Sequence, residues 1–246
     1  MNGEQAIDPA LTQAEQALDA GRGLKGTGFW KAVGVLRRDR ALAERYADRA
    51  SVIDRRAFEK GVKLRVPLVP GLIALVLITA FGVVAVLASF IFGWGETFRR
   101  STQLYNAARE APTAAVPISF LLGTGALLIG THSLAHYVVG RMAGIRFTHV
   151  FLGGPPPPRP GVKTDYATYL RATPRARAIM HASGAVVTKL LPFALLPVSV
   201  WLYEDWPWLT WVLIAIGIFQ IVTDVVLSTK VSDWKKVRRE MRAARG

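Results

Sequence analysis

Two histidines four positions apart, His132 and His136, are the residues of this chain whose types and spacing best suit chemistry. On a helix, that spacing brings both imidazoles to one side, where they can share one cation. Asp224, in the last apolar stretch, is the candidate for a third ligand. Two His and one carboxylate leave a coordination position open, as in catalytic zinc sites. Since the chain has no cysteine, any metal must be held by His and carboxylate groups.

A metal-free arrangement is the alternative for the same residues. The two histidines could hydrogen-bond to neighbouring helices, and Lys189 could form an ion pair with Asp224, because charges inside membranes tend to be paired. At 1.5 Å per residue, however, Lys189 and Asp224 differ in depth by about 9 Å, which favours the metal. His181 shares the depth of the metal candidates, and we expect it either to hydrogen-bond to a neighbouring helix or to serve as a ligand or base.

Three segments around these residues form a recognisable pattern. They are GTHSLAHYVVGRMAGIRF (130–147), HASGAVVTK (181–189) and the ThrAsp pair that ends at Asp224. Together they resemble the core of the site-2 protease family of intramembrane zinc metalloproteases. The resemblance covers roughly residues 113–235 and leaves out the first 65 residues. It implies a helical membrane core that holds zinc near the cytoplasmic face and cleaves membrane-embedded peptide segments.

The resemblance also assigns roles to single residues. It implies that His132, His136 and Asp224 are the zinc ligands, and that Thr188 stands where the family has asparagine. The family's HisGluXxxXxxHis helix carries its general base beside the first histidine, and this chain has Ser133 there. A serine cannot accept a proton from zinc-bound water at neutral pH, and loss of a positioned base typically costs about 10²- to 10⁴-fold in rate. We therefore expect inefficient peptide hydrolysis.

Three functions follow as hypotheses. The first is a divergent site-2-protease-like protein that keeps a zinc site and acts as a pseudoprotease or regulatory scaffold for transmembrane segments of other proteins. The second is an active zinc metalloendopeptidase that uses a different base, for which Asp165 and His181 are candidates. The third is a metal-free membrane protein with a structural or interaction role.

Long apolar segments must position these residues. Hydrophobic residues make up 51% of the 246-residue chain, and the mean hydropathy is +0.28. A helix needs about 20 apolar residues to cross the hydrocarbon core of a bilayer. Four blocks reach this length: 66–94, 113–140, 178–203 and 208–228. The sequence therefore predicts an all-α polytopic membrane protein with about four transmembrane helices, of which the last three form the membrane core within 113–235.

The positive charges predict the orientation of these helices. The net charge is +14, and the Lys and Arg residues number 13 in 1–65, 3 in 95–112, 7 in 141–177, none in 204–207 and 7 in 229–246. By the positive-inside rule both termini and the 141–177 connection are cytoplasmic in a multi-pass protein of the cell membrane. Because the charge alternates by connection instead of forming one basic surface, we expect the lipid bilayer and not nucleic acid as the partner.

The segments outside the apolar blocks have separate patterns. Residues 1–65 carry mixed charges at helical spacing, which predicts a cytoplasmic helical region. Residues 145–151 alternate as a short strand does, and the prolines of 155–158 cannot be helical, so a small β-hairpin beside a proline-rich loop is expected. Residues 236–246 form a basic tail.

Overall fold

The computed structural model describes residues 3–102, 114–153, 159–202, 206–225 and 232–245, without the side chains of 93–102, 159 and 224–225. After a 3₁₀ turn at Gly3–Ala6, the N-terminal region contains α1 (Ile7–Asp19), α2 (Phe29–Leu36), α3 (Arg40–Gly61) and β1 (Leu64–Pro67). The long helices α4 (Leu68–Thr102) and α5 (Ala115–Met142) follow, and then β2 (Phe147–Gly153), β3 (Arg159–Thr164) and α6 (Tyr166–Arg171). The chain continues with α7 (Pro174–Ala194), α8 (Leu196–Trp201), α9 (Pro207–Val225) and α10 (Asp233–Ala243).

Three of these helical stretches are long and apolar enough to cross a membrane. They are Leu68–Phe92 in α4, Ala115–Met142, and Pro174–Trp201, which comprises α7 and α8. The block predicted as a fourth span overlaps the shorter apolar helix Pro207–Thr223. The prediction of a mostly helical membrane protein is thus confirmed, and a count of four spans stays a prediction.

The chain divides into two compact units, each built from separate stretches of sequence. One unit comprises residues 1–72, 135–183 and 233–246. It contains the sheet and most of the ion pairs, and we call it the polar unit. The other comprises residues 73–134 and 184–232. We call it the apolar unit, because it contains most of the membrane-length helices.

The core of the polar unit joins the N-terminal helices to the segments that follow α5. Helix α1 buries Ile7, Leu11, Ala14 and Leu18, spaced to line one helical face. Alanines at 43, 47 and 50 of α3 are fully buried, and these small side chains let neighbouring elements approach closely. The same hydrophobic cluster includes Ile145, Phe147, Tyr169 and Met180. Residues 1–65 therefore share a core with the segment around the second half of α5 and the start of α7.

A three-stranded antiparallel sheet lies in the polar unit, in the order β1-β2-β3. Val150 is paired with Val66 of β1 on one side and with Val162 of β3 on the other. The predicted hairpin is therefore present, with the proline run between its strands outside the described residues. Strand β1 was not predicted. Its residue Val66 was expected to open the first membrane helix, which instead begins at Leu68 because Leu64–Pro67 pairs with β2.

Glycines set the spacing of the helices in the apolar unit. A Cβ on Gly123 of α5 would lie 2.9 Å from the carbonyl oxygen of Gly82 in α4, and a Cβ on Gly82 would lie 2.8 Å from Leu127. The hydroxyls of Ser89 and Thr124 donate to carbonyls of their own helices, as expected for polar groups in an apolar setting. Small residues that let backbones approach closely are the usual interface of membrane helices.

Candidate metal centre

His136 is held in one orientation by a backbone group. Its Nδ1 lies 2.7 Å from the carbonyl oxygen of Met180 in α7. A carbonyl can only accept, so Nδ1 must carry the proton and donate it. The other ring nitrogen, Nε2, lies 3.3 Å from Oδ2 of Asp233, the first residue of α10. A backbone carbonyl that fixes the tautomer in this way is the usual outer partner of a metal-binding histidine.

The two carboxylate oxygens of Asp233 lie beside Lys236 and His136. Burial alone would raise the pKa of Asp233, but the hydrogen bond with His136 and the charge of Lys236 outweigh burial and hold that pKa well below its usual range. Lys236 Nζ lies 2.8 Å from Oδ1, so one oxygen is already neutralised by a cation. The other oxygen faces Nε2 of His136, and a hydrogen bond there requires a proton on Nε2 as well as on Nδ1. A neutral ring with its proton on Nδ1 presents only a lone pair to that oxygen. Two acceptors at that distance need a proton or a metal ion between them.

His132 completes a group of three possible ligands. It precedes His136 by one helical turn, and the ligand atoms of His132, His136 and Asp233 all lie within 4.8 Å of one another. Ligand atoms in a tetrahedral zinc site lie roughly 3.3–3.5 Å apart, given bonds of about 2.0–2.2 Å. The group is half-buried to buried and contains two imidazoles and one carboxylate. These three residues could hold a metal ion.

Ser133 follows His132 on α5, and its side chain is fully buried. A serine hydroxyl does not ionise at neutral pH, so at this position it can donate and accept hydrogen bonds but cannot take up a proton as a carboxylate does.

The structure does not describe the side chain of Asp224, the predicted third ligand. Asp224 lies near the end of α9, and its role as a ligand stays a prediction. Asp233 was missed by sequence analysis, which assigned it to the segment after the last span. The signal that could have found it is a single acidic residue at the start of the basic helix DWKKVRREMRA. Such an aspartate is common as a helix-opening residue, so the pattern alone does not indicate a ligand.

His181 adjoins the candidate ligands through its ring. Its centroid lies 6.4 Å from that of His136, with the two rings near perpendicular. Its Nε2 lies 2.9 Å from the hydroxyl of Tyr169, which in turn donates to Oε1 of Glu240 at 3.0 Å. Burial and the charge of Glu240 raise the pKa of Tyr169, so its hydroxyl keeps the proton that it donates. His181 must therefore donate from Nε2, which leaves the lone pair on Nδ1.

Glu240 and Arg177 form a buried ion pair beneath this histidine. Arg177 Nε lies 2.6 Å from Oε2 of Glu240, and the two side chains are 1% and 0% exposed. The remaining Arg177 donors reach the carbonyl oxygens of Ala172 and Arg37, each at 2.7 Å. Because Glu240 belongs to the same helix as Asp233, this pair anchors α10 to the first turn of α7 and helps to keep Asp233 beside His136.

The two remaining candidates bond within α7. Thr188 donates to the carbonyl oxygen of Gly184 at 2.9 Å, and Lys189 Nζ donates to that of Ala185 at 3.2 Å. Bonds of this kind satisfy polar groups inside an apolar helix. The alternative ion pair between Lys189 and Asp224 involves a side chain outside the described residues and stays a prediction.

Comparisons of the chain with protein-family models, with curated protein sequences and with solved structures find no match.

Proposed function

We propose that the chain is a zinc-binding membrane protein of the site-2-protease-like type that binds transmembrane segments of other proteins without cleaving them efficiently. Zinc is held by His132, His136 and Asp233. Ser133 supplies no base, so the protein acts as a pseudoprotease or regulatory scaffold. The distribution of Lys and Arg supports a multi-pass protein of the cell membrane with both termini in the cytoplasm.

The observation that carries this proposal is the position of His136 between a carbonyl and a carboxylate. Its Nδ1 donates to Met180 O, and its Nε2 faces the carboxylate of Asp233 at 3.3 Å. Zinc accepts both lone pairs at once, and the second histidine one turn away adds a third donor. Zinc suits two imidazoles and one carboxylate and keeps a fourth position open. A protonated His136 would satisfy the same contact without metal, and that arrangement is the outcome against which the proposal is tested.

The test is metal content, measured by plasma mass spectrometry on the full chain purified in detergent. We expect about one zinc per chain in the wild type, and a loss of at least tenfold in His132→Gln, His136→Gln and Asp233→Asn, since removal of one of three ligands costs far more than the 10- to 100-fold typical of an outer-shell change. Asp224→Asn decides between the two aspartates. Retained zinc in that variant favours Asp233, and loss there with retention in Asp233→Asn restores the ligand that the sequence predicts.

His149→Gln is the matched control, because His149 lies on β2, away from the candidate ligands. It should keep its zinc. Absence of zinc from the wild type, or equal zinc in all variants, would contradict the proposal and favour a metal-free protein in which His136 is protonated.

An active protease is the second candidate, and the tautomer of His181 favours it. Its Nδ1 is left with a lone pair, and its ring lies 6.4 Å from that of His136, so it could serve as the base if a metal held by the candidate ligands activated a water. Asp165, the other base considered, caps α6 and accepts a hydrogen bond from Ser51 at 3.0 Å. It is therefore already engaged. Under this proposal the wild type cleaves a single transmembrane substrate in a zinc-dependent way.

The two candidates separate in a cleavage assay on a transmembrane peptide in detergent micelles. The scaffold proposal expects no measurable cleavage by the wild type and new cleavage by Ser133→Glu, by about 10²-fold or more over background, because a positioned base is restored. Ser133→Gln is the size-matched control. Wild-type cleavage that His181→Gln abolishes and His149→Gln leaves intact would instead support the active protease.

A further inference from the structure

A surface cavity of about 480 Å³ opens between α2 and α10 in the polar unit. Its lining is strongly basic: besides Gly34 and Ala243 it consists of Arg37, Arg38, Lys235, Arg238, Arg239 and Arg242. Volumes of a few hundred Å³ are usual for small-molecule sites. Six cations that share one cavity repel one another, and this cost is relieved only by a nearby negative charge.

The described part of the chain supplies little of that negative charge. Among the described residues, Glu240 supplies the carboxylate that contacts the lining. It lies 3.1 Å from Arg239 Nε and 3.7 Å from Arg37 Nε. Glu240 is fully buried and already receives Arg177 and the Tyr169 hydroxyl. Its single charge is therefore shared among several donors, and most of the positive charge of the cavity remains unbalanced.

Three of the lining side chains are held by no partner within the described residues. Lys235, Arg238 and Arg242 are exposed, and they form no ion pair or hydrogen bond with the parts of the chain that the structure describes. Arg37 adds a buried donor, because its Nε has no hydrogen-bond acceptor. An anion with several oxygen atoms would neutralise the exposed guanidinium groups of the lining.

The cavity lies at the level where a membrane surface is expected. Arg177 is the fourth residue of the membrane-length stretch Pro174–Trp201. It contacts both walls of the cavity, through the carbonyl of Arg37 at the end of α2 and the carboxylate of Glu240 in α10. The cavity thus adjoins the beginning of a candidate span, where the phosphates of lipid head groups concentrate. Arginine is suited to this chemistry, because its planar fork donates two parallel hydrogen bonds to a phosphate.

We propose that this basic cavity between α2 and α10 is a binding site for a phosphate-bearing anion, such as the head group of an anionic phospholipid or a free phosphate compound. This site is separate from the candidate metal centre and does not depend on zinc.

The test uses the full chain in mild detergent and compares R238Q/R242Q with R22Q/R55Q. Arg238 and Arg242 are exposed lining residues, so their substitution should leave the fold intact. Arg22 and Arg55 are exposed arginines of the same unit that lie outside the cavity, so the control loses the same charge. Native mass spectrometry counts bound phosphatidylglycerol, with phosphatidylcholine as the zwitterionic comparison. A second arm measures the melting temperature against inorganic phosphate and pyrophosphate at low and moderate salt.

For a lipid head group we expect phosphatidylglycerol adducts on the wild type and on R22Q/R55Q, and binding at least about tenfold weaker in R238Q/R242Q, since each basic residue near an anionic surface contributes on the order of 1 kcal/mol. For a free phosphate compound, the lipid adducts are alike in all three proteins, and pyrophosphate raises the melting temperature of the wild type and the control but not of R238Q/R242Q. If neither probe distinguishes R238Q/R242Q from R22Q/R55Q, the proposal is wrong.

Discussion

The polar unit and the apolar unit bury polar atoms by different means. The polar unit pairs full charges, as in the buried contact of Arg177 with Glu240 and the contact of Lys163 with Asp54. In the apolar unit, buried hydroxyls such as those of Ser89 and Thr124 bond to carbonyls of their own helices. A buried charge is costly unless an opposite charge is paired with it, which accounts for the ion pairs of the polar unit. A hydroxyl in an apolar setting must find its acceptor within the helices, because no water is available there.

The units differ in the same way in what brings their elements together. The polar unit packs large side chains such as Phe29, Ile53 and Phe147 into one cluster, where burial away from water supplies the driving force. In the apolar unit, α4 and α5 approach each other closely at Gly82 and Gly123. Lipid tails are as apolar as leucine, so close packing and not expulsion of water must hold such helices together. The comparison predicts that the two units fail through different kinds of substitution.

The largest effect is expected from removal of the buried charge Arg177. Arg177→Leu leaves the carboxylate of Glu240 in a site with no exposure to water, and we expect a loss of about 3–5 kcal/mol in the free energy of unfolding. Denaturant titration in detergent micelles, followed by tryptophan fluorescence, measures it. The comparison pair is Arg171 with Asp48, a bidentate but surface ion pair, for which Arg171→Gln should cost no more than about 1 kcal/mol.

A double variant sharpens the same test. Arg177→Leu combined with Glu240→Leu removes both charges of this pair, so part of the lost stability should return. The return is incomplete because Arg37 and Arg239 also lose their contact with Glu240. If Arg177→Leu costs no more than Arg171→Gln, buried charge is not what stabilises the polar unit, and the contrast between the units fails.

A smaller effect is expected in the apolar unit from one added methyl group. Gly123→Ala would place a Cβ 2.9 Å from the backbone oxygen of Gly82, which cannot move without shifting a helix. We expect a destabilisation of about 1–3 kcal/mol. Gly125 lies on the same helix with nothing within 4 Å of its added Cβ. Gly125→Ala should therefore be neutral or stabilising by about 0.5–1 kcal/mol. Equal melting temperatures for the two variants would show that close glycine packing is not required.

The sequence predicts the parts of the fold that depend on local residue patterns. Hydropathy predicts the helices around Leu68–Phe92, Ala115–Met142 and Pro174–Trp201, because a membrane-length helix needs a continuous apolar run. Strand β1 was missed because Leu64–Pro67 is short and runs directly into the apolar residues of α4. Pairing with β2, more than eighty residues away, decides its conformation, and no local pattern reports it.

In the candidate site, too, local spacing predicts one part and long-range contacts determine the other. The four-residue spacing on one helix predicts that His132 and His136 can share a cation, which the geometry supports. Asp233 joins them through a contact 97 residues distant in sequence, between α5 and α10. The Arg177 and Glu240 pair, which also joins α10 to α7, links residues 63 positions apart. Periodicity does not report tertiary contacts of this kind, so the sequence alone could not place Asp233 beside the two histidines.

The smallest effect concerns charges of the polar unit that water can reach. Arg49 donates to both oxygens of Glu15, and this hydrogen bond holds the pKa of Glu15 below its usual range. The folded pKa is lower than the unfolded value of about 4.3, so the pair stabilises the fold above that pH and loses its effect as pH falls through the folded pKa. About a third of each side chain is exposed, so solvent screening keeps the contribution below about 1 kcal/mol.

The free energy of unfolding, measured from about pH 6 down to about pH 3, should fall less steeply in Glu15→Gln than in the wild type. It should also fall less steeply than in the control Glu59→Gln, which alters an exposed glutamate of α3. The difference should shrink at high salt, because surface charges are screened there. An unchanged acid slope in Glu15→Gln would mean that even this bidentate surface pair adds nothing, and that the stability of the polar unit rests on its buried charges alone.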